Sequence, residues 1–145
     1  MTVASAPTAP HASRPPRIVV AEDDPDIREL VAECLRREGY EVQEVSNGGE
    51  LLVRIEDSLF LRRVPEQIDL FVTDINMPGY TGLEIITGLR EAGMQMPVII
   101  MTAFASEENR SQAAALGAAF LHKPFDANRL CTLVRDALDV APATS

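Results

Sequence analysis

The sequence has no tryptophan, only two cysteines and 5% aromatic residues, and its apolar runs are short. Each scarcity excludes something. Cys34 and Cys131 stand far apart with no CxxC or histidine pattern beside them, which indicates neither a zinc site nor a disulfide framework; both are expected to be buried thiols. Runs such as PVIIM, residues 97–101, fall far short of the ~20 residues that a membrane-spanning helix requires. The opening MTVASAPTAPHASRPP carries neither a basic leader nor an apolar stretch of signal-peptide length, so a cytoplasmic location is expected. Positive charge is scarce too. Thirteen Lys and Arg against 22 Asp and Glu give a formal charge of −9, which repels a phosphate backbone and argues against direct nucleic-acid binding. A carboxylate surplus suits a hard cation, but most acidic surfaces are merely solvated, so the charge total alone assigns no metal.

What is present is an ordinary globular balance: 145 residues, 46% hydrophobic and 24% charged. A chain of this length buries roughly 70% of its unfolded surface in one core and needs no disulfide or metal to fold. Pro7, Pro10, Pro15 and Pro16 crowd the start among Ala, Ser and Thr, a composition that cannot assemble a core. Residues 1–16 are therefore expected to be a disordered tail, 17–140 the folded domain and 141–145 a frayed end.

Within that domain, apolar runs alternate with segments of helical period. RIVVA (17–21), IDLFVT (68–73) and MPVIIMT (96–102) are almost continuously apolar, as strands covered on both faces must be, and predict central strands. YEVQEV (40–45) alternates and AAFLH (118–122) is short, so both predict sheet edges. Asp24 before Pro25 is a good N-cap and first helical position, and Ile27, Leu30, Val31, Cys34 and Leu35 recur on one face until Gly39. Further helices are expected over 49–63, 81–92, 106–116 and 126–138, with Gly39, Gly93 and Gly117 as left-handed caps. Five alternations of strand and helix with right-handed crossovers make a doubly wound parallel sheet.

Ligands of such sheets sit outside the carboxyl ends of the strands, so the residues just after each apolar run are the informative ones. After the first come Glu22, Asp23 and Asp24; after the third, Asp74; after the fourth, Thr102; after the fifth, Lys123 and Pro124. Taken singly, each has a dull explanation in helix capping, turn formation or solvation. In a sheet of order 2-1-3-4-5, however, these groups converge on one rim, and acids, a hydroxyl and a cation would share a pocket.

These residues carry a resemblance to a known family, the response-regulator receiver domains of two-component signalling. IVVAEDDPDIREL resembles the family's opening acidic motif, TDINMPGYTGLE the segment around its phosphoacceptor, IIMTA its hydroxyl residue, and FLHKPF its lysine and proline. The resemblance implies a flavodoxin-like (βα)5 fold, with Asp74 as the phosphorylated aspartate, Glu22 and Asp23 as the acidic pair, and Asp24 mainly a cap. It implies that Mg2+, with Mn2+ as an alternative, is bound by Asp23, Asp74 and the backbone carbonyl of Asn76, with Glu22 acting through water. Lys123 and Thr102 would each engage a phosphoryl oxygen. The resemblance makes Phe120 the aromatic that turns when Thr102 moves, without the hydroxyl of the tyrosine often found there, and makes the Lys123–Pro124 bond cis. His11 and His122 have no partners at metal-ligand spacing and are assigned no chemistry.

The chemistry suits these residue types: a carboxylate attacking a phosphoryl group sets negative charge against negative charge and calls for a divalent cation. The implied partners are a sensor histidine kinase or phosphotransfer protein and a downstream protein target engaged through residues 104–139, with no membrane and no direct nucleic acid. With few residues after the last helix, the signal is expected to pass by protein contact. One departure is visible. SLFLRRVPEQ lengthens the stretch between Asn47 and Asp74 beyond the family's expectation, which suggests an extended second helix, and its Phe60, Leu61 and Val64 are apolar for a solvated segment. Two alternatives stay open: an aspartate-based phosphohydrolase, because DIN loosely resembles a DxD arrangement, and a degenerate receiver acting only as an interaction module.

Overall fold

The computed structural model describes residues 14–56, 68–104 and 106–140. Its elements, in chain order, are β1 (Arg17–Ala21), α1 (Pro25–Arg37), β2 (Glu41–Val45), α2 (Gly48–Glu56), β3 (Leu70–Asp74), α3 (Gly82–Glu91), β4 (Val98–Thr102), α4 (Glu107–Ala115), β5 (Ala119–His122) and α5 (Ala127–Val140). The strands are all parallel and ordered β2-β1-β3-β4-β5, which puts β2 and β5 at the edges. The strands β3 and β4 begin two residues inside their apolar runs, and β3 extends one residue further to include Asp74. Of the lengthened stretch after Asn47, residues 57–67 lie outside the described part of the chain, as do 1–13 and 141–145. Arg14 ion-pairs with Asp69 at 3.0 Å, and the Pro16 carbonyl accepts the N–H of Glu41.

The central strands are apolar throughout because the sheet has two cores. Ile18 and Val20 of β1, Leu70 and Val72 of β3, and Ile99 and Met101 of β4 pack with Val31 and Leu35 of α1 and with Leu130 and Val134 of α5. Val19, Phe71 and Ile100 point the other way, into a layer closed by Leu51 of α2, Ile85, Ile86 and Leu89 of α3, and Ala113 of α4. Successive side chains of a strand alternate faces, so burial on both removes polar positions entirely.

The helix boundaries follow local chemistry. Asp24 caps α1, its carboxylate accepting the N–H groups of Asp26 and Ile27, with Pro25 in the first turn. Thr81 and Glu84 form a reciprocal capping box on α3, and Ser106 caps α4. Gly39, Gly93 and Gly117 follow helix ends with φ of 95°, 85° and 74°, which a side chain would strain. One expectation needs correcting. Cys34 is buried, but Cys131 is only half-buried, because the buried stripe of α5 runs through Leu130 and Val134 and Cys131 stands at its margin.

Candidate functional site

Every strand end on the carboxyl edge delivers a polar group because the apolar run stops where the two covering layers stop. After β1 the ladder continues one residue further, the N–H of Glu22 donating to the Val45 carbonyl, and the Glu22 side chain is drawn inward to 1% exposure. Asp23 next to it stays exposed. Asp74 closes β3, buried at 7% exposure, and its Oδ1 accepts the N–H of Asn76 at 3.2 Å. Glu22, Asp23 and Asp74 each offer a carboxylate oxygen within 4.8 Å of the others. On the other side stands Lys123, fixed by its main-chain N–H donating to the Thr102 carbonyl at 2.8 Å, with the Lys123–Pro124 bond cis. Its ammonium lies 2.8 Å from Glu22 Oε1 and 3.3 Å from Asp74 Oδ2.

Burial pushes the Glu22 carboxyl up from 4.5 to about 7; the Lys123 hydrogen bond and the N–H of Asp24 pull against that, and the Asp74 charge adds to it. Burial also works against the Lys123 ammonium, but the hydrogen bond it donates to Glu22 and the neighbouring charges outweigh it and raise its pKa, so the lysine is held charged. Three carboxylates facing one ammonium form a negatively charged pocket of hard oxygen donors, the donor set that Mg2+ prefers. The residues present therefore fit such an ion.

Thr102 ends β4, but its hydroxyl is engaged locally, donating to the Phe104 carbonyl at 2.8 Å and accepting the Phe104 N–H at 3.1 Å. Phe120 is half-buried on β5, three residues before Lys123, with the Arg110 guanidinium 5.5 Å above its ring. Asn76 is exposed on the loop after β3, beside a cavity of about 460 Å³ between α3 and α4. Glu22, Asp23, Asp74 and Lys123 thus meet in one cluster, whereas Thr102 and Phe120 stand one and two strands away from Asp74.

Two supporting glycines were not foreseen from the sequence. A Cβ on Gly82 would lie 2.5 Å from the Asp74 carbonyl oxygen, and one on Gly48 would lie 2.6 Å from the carbonyl of Tyr80. The only local signal was glycine at the start of each helix. Gly82 also donates its N–H to the Ile75 carbonyl at 3.0 Å, so the N-terminus of α3 is folded back onto the strand end that carries Asp74. Gly82→Ala is expected to destabilise the domain by about 1–3 kcal/mol, the range for overpacking a tight site, and to shift the amide resonances of residues 74 to 76. A urea midpoint and amide spectrum like the parent's would mean the backbone yields without cost.

Five parallel strands in this order, with acids and a lysine at their carboxyl ends, define a flavodoxin-like α/β domain of the CheY-like kind. The chain belongs to the response regulator receiver domain family, whose model matches residues 18–135. A CheY-like receiver domain from Methanospirillum hungatei JF-1 superposes with a TM-score of 0.77 at 30% identity, covering 86% of this chain and 94% of that one. The response regulator TrrA of Thermotoga maritima, solved in complex with Mg2+ and BeF, gives a TM-score of 0.68 at 34% identity, covering 85% and 99%. A 14.6 kDa protein of Leptolyngbya boryana is 39% identical over 121 residues, 81% of this chain and 86% of its own length. The chain spans about half the length of the transcriptional regulatory proteins it matches, such as YrkP of Bacillus subtilis, 35% identical over 115 residues. No described helix is long and apolar enough to cross a membrane.

Proposed function

We propose that this receiver domain takes a phosphoryl group on Asp74 from a histidine kinase or phosphotransfer protein and passes the signal to a protein target. The observation that carries this reading is the cluster itself. A buried carboxylate at the end of the central strand β3 faces two further acids and a charged lysine at 3.3 Å. That arrangement can accept a phosphoryl group and neutralise it, and it has no evident structural use, since like charges held together cost stability.

In this mechanism an Asp74 oxygen bonds to phosphorus as the bond from phosphorus to the donor histidine nitrogen breaks, leaving an acyl phosphate on the side chain, its negative charge on the phosphoryl oxygens, and the electron pair on the imidazole. The nucleophile is already a carboxylate, so no general base is needed. Asp23, Asp74 and the Asn76 main-chain carbonyl would hold Mg2+, with Glu22 acting through water and Mn2+ as an alternative ion. The ion supplies charge neutralisation between carboxylate and phosphoryl oxygens, which is most of the catalysis for a loose transition state. Lys123 offers its ammonium to a second phosphoryl oxygen. The Thr102 hydroxyl leaves Phe104 for a third, and Phe120 turns as it does so. Those two residues sit on the strands flanking α4, so the phosphoryl group shifts the population of the surface formed by residues 104–139, where the target binds.

The test is NMR of the full chain with Mg2+ and beryllofluoride, a phosphoryl mimic. The expected response centres on Asp23, Asp74 and Lys123 and extends to Thr102 and residues 106 to 122. Asp23→Asn is expected to weaken Mg2+ binding and the response by at least about tenfold, because it replaces an anionic oxygen donor with a neutral amide oxygen. Asp24→Asn is expected to change little, since asparagine is an equally good helix cap. Equal losses in both variants would show that the acidic triplet is assigned in the wrong register.

A further inference from the structure

Asp23 is exposed, and among the described residues its carboxylate takes no hydrogen bond and no ion pair. Its direction is therefore set by the main chain on either side of it, and both of those peptide groups are held. The Glu22 carbonyl, in the peptide that leads into Asp23, accepts a hydrogen bond from Arg28 Nη1 at 2.9 Å. The N–H of Asp24, in the peptide that leads out, donates to Glu22 Oε2 at 3.1 Å. The Asp24 carbonyl in turn accepts the N–H of Arg28 at 2.9 Å, so Arg28 grips this turn with its main chain and its side chain together. The guanidinium is itself fixed. Arg28 Nε lies 3.4 Å from Glu44 Oε1 on the edge strand β2, and the other oxygen of Glu44 is held by Arg36 at 3.0 Å.

We propose that Arg28 is a positioning residue for metal binding: it fixes the turn between β1 and α1 so that the Asp23 carboxylate stands within reach of Glu22 and Asp74 before the ion arrives. The inference rests on the reading of Asp23 as a Mg2+ ligand and names what aims it. Groups that orient metal ligands typically govern affinity by about 10- to 100-fold, because a ligand that is ordered only on binding costs entropy at that moment. The charge of Arg28 works the other way. A cation beside the cluster repels Mg2+, so a purely electrostatic role predicts tighter binding once it is removed. Position and charge thus give opposite signs for one substitution.

The measurement is a Mg2+ titration of the isotope-labelled full chain, followed by the amide resonances of residues 22–24 and 74–76 well below each variant's unfolding midpoint. Arg28→Gln is expected to weaken Mg2+ binding about tenfold and, in the metal-free chain, to speed hydrogen exchange of the Asp24 amide. Arg28→Lys keeps the charge on a shorter reach and is expected to fall between the parent and the glutamine variant. Arg36→Gln removes an equal charge and a partner of the same Glu44 but leaves the Glu22 bond, and is expected to stay within about twofold of the parent. Equal or tighter binding in Arg28→Gln would overturn the proposal, as would an equal loss in Arg36→Gln. If the glutamine variant does not fold, Arg28→Lys decides, and an affinity equal to the parent's overturns it. A parent chain whose amides around Asp23 and Asp74 do not answer Mg2+ defeats the metal reading and this inference with it. A parent that answers beside an unchanged Arg28→Gln defeats the positioning role alone.

Discussion

Asp74→Asn is expected to abolish phosphorylation by acetyl phosphate or a cognate kinase, measured as acid-stable, base-labile label, while the domain stays folded. The amide cannot act as the nucleophile, and neither acid beside it is placed to replace it: Glu22 is occupied by Lys123 at 2.8 Å and Asp23 is exposed. The fold has reason to survive. Asparagine keeps an oxygen for the Asn76 N–H, now 3.2 Å from Oδ1, and loss of the Asp74 charge relieves Glu22 of one of the influences raising its pKa. Label at normal stoichiometry in this variant would refute the assignment, whereas no label in the parent would bring back the degenerate-receiver alternative, in which these residues serve only as an interaction surface.

Lys123→Met is the second large effect, and here stability is what changes. The lysine lies between Glu22 and Asp74, and the side chains of the three are 16%, 1% and 11% exposed in that order. Methionine keeps the length of the stem but leaves two buried carboxylates facing each other. Removing one partner of a buried ion pair costs about 3–5 kcal/mol, and partial exposure here brings the expectation to about 2 kcal/mol at pH 8. The sign of the pH dependence follows from the carboxylates. Glu22 is already raised to about 7, and without the ammonium it rises further. A carboxyl whose pKa is raised in the folded state favours folding when protonated, and that contribution is lost as pH rises through the folded value. The deficit of the variant is therefore largest above pH 7 and shrinks toward pH 5. Urea unfolding at the two pH values measures it, and millimolar Mg2+ at pH 8 should narrow it. A deficit equal at both would mean that the lysine matters for packing alone.

The secondary structure was largely legible because its signals are local. Period-two and period-3.6 patterns, the Asp24–Pro25 start and the three capping glycines act within a few residues of themselves, so the elements fall where the chain alone predicts them. Even the convergence of Glu22, Asp23 and Asp74 follows from strand-end position once the sheet order is granted. Cys131 shows where this stops. Its neighbours Leu130 and Val134 are fully buried, yet it is not, because the width of the buried stripe on α5 depends on how closely that helix packs against α1 and the sheet.

By itself, then, the sequence determined the alternation of elements, the two-faced apolar character of the central strands and the residue types on the carboxyl rim. The tertiary structure decided what those residues touch. Lys123 lies 101 positions from Glu22, and nothing near either residue announces that the ammonium will hold that carboxylate at 2.8 Å while standing 3.3 Å from Asp74. The same is true of Gly82, which owes its missing side chain to the Asp74 carbonyl. Periodicity and capping are short-range preferences that each segment carries with it. Which charges are desolvated together, and which backbones come within contact distance, is set only when both layers close on the sheet.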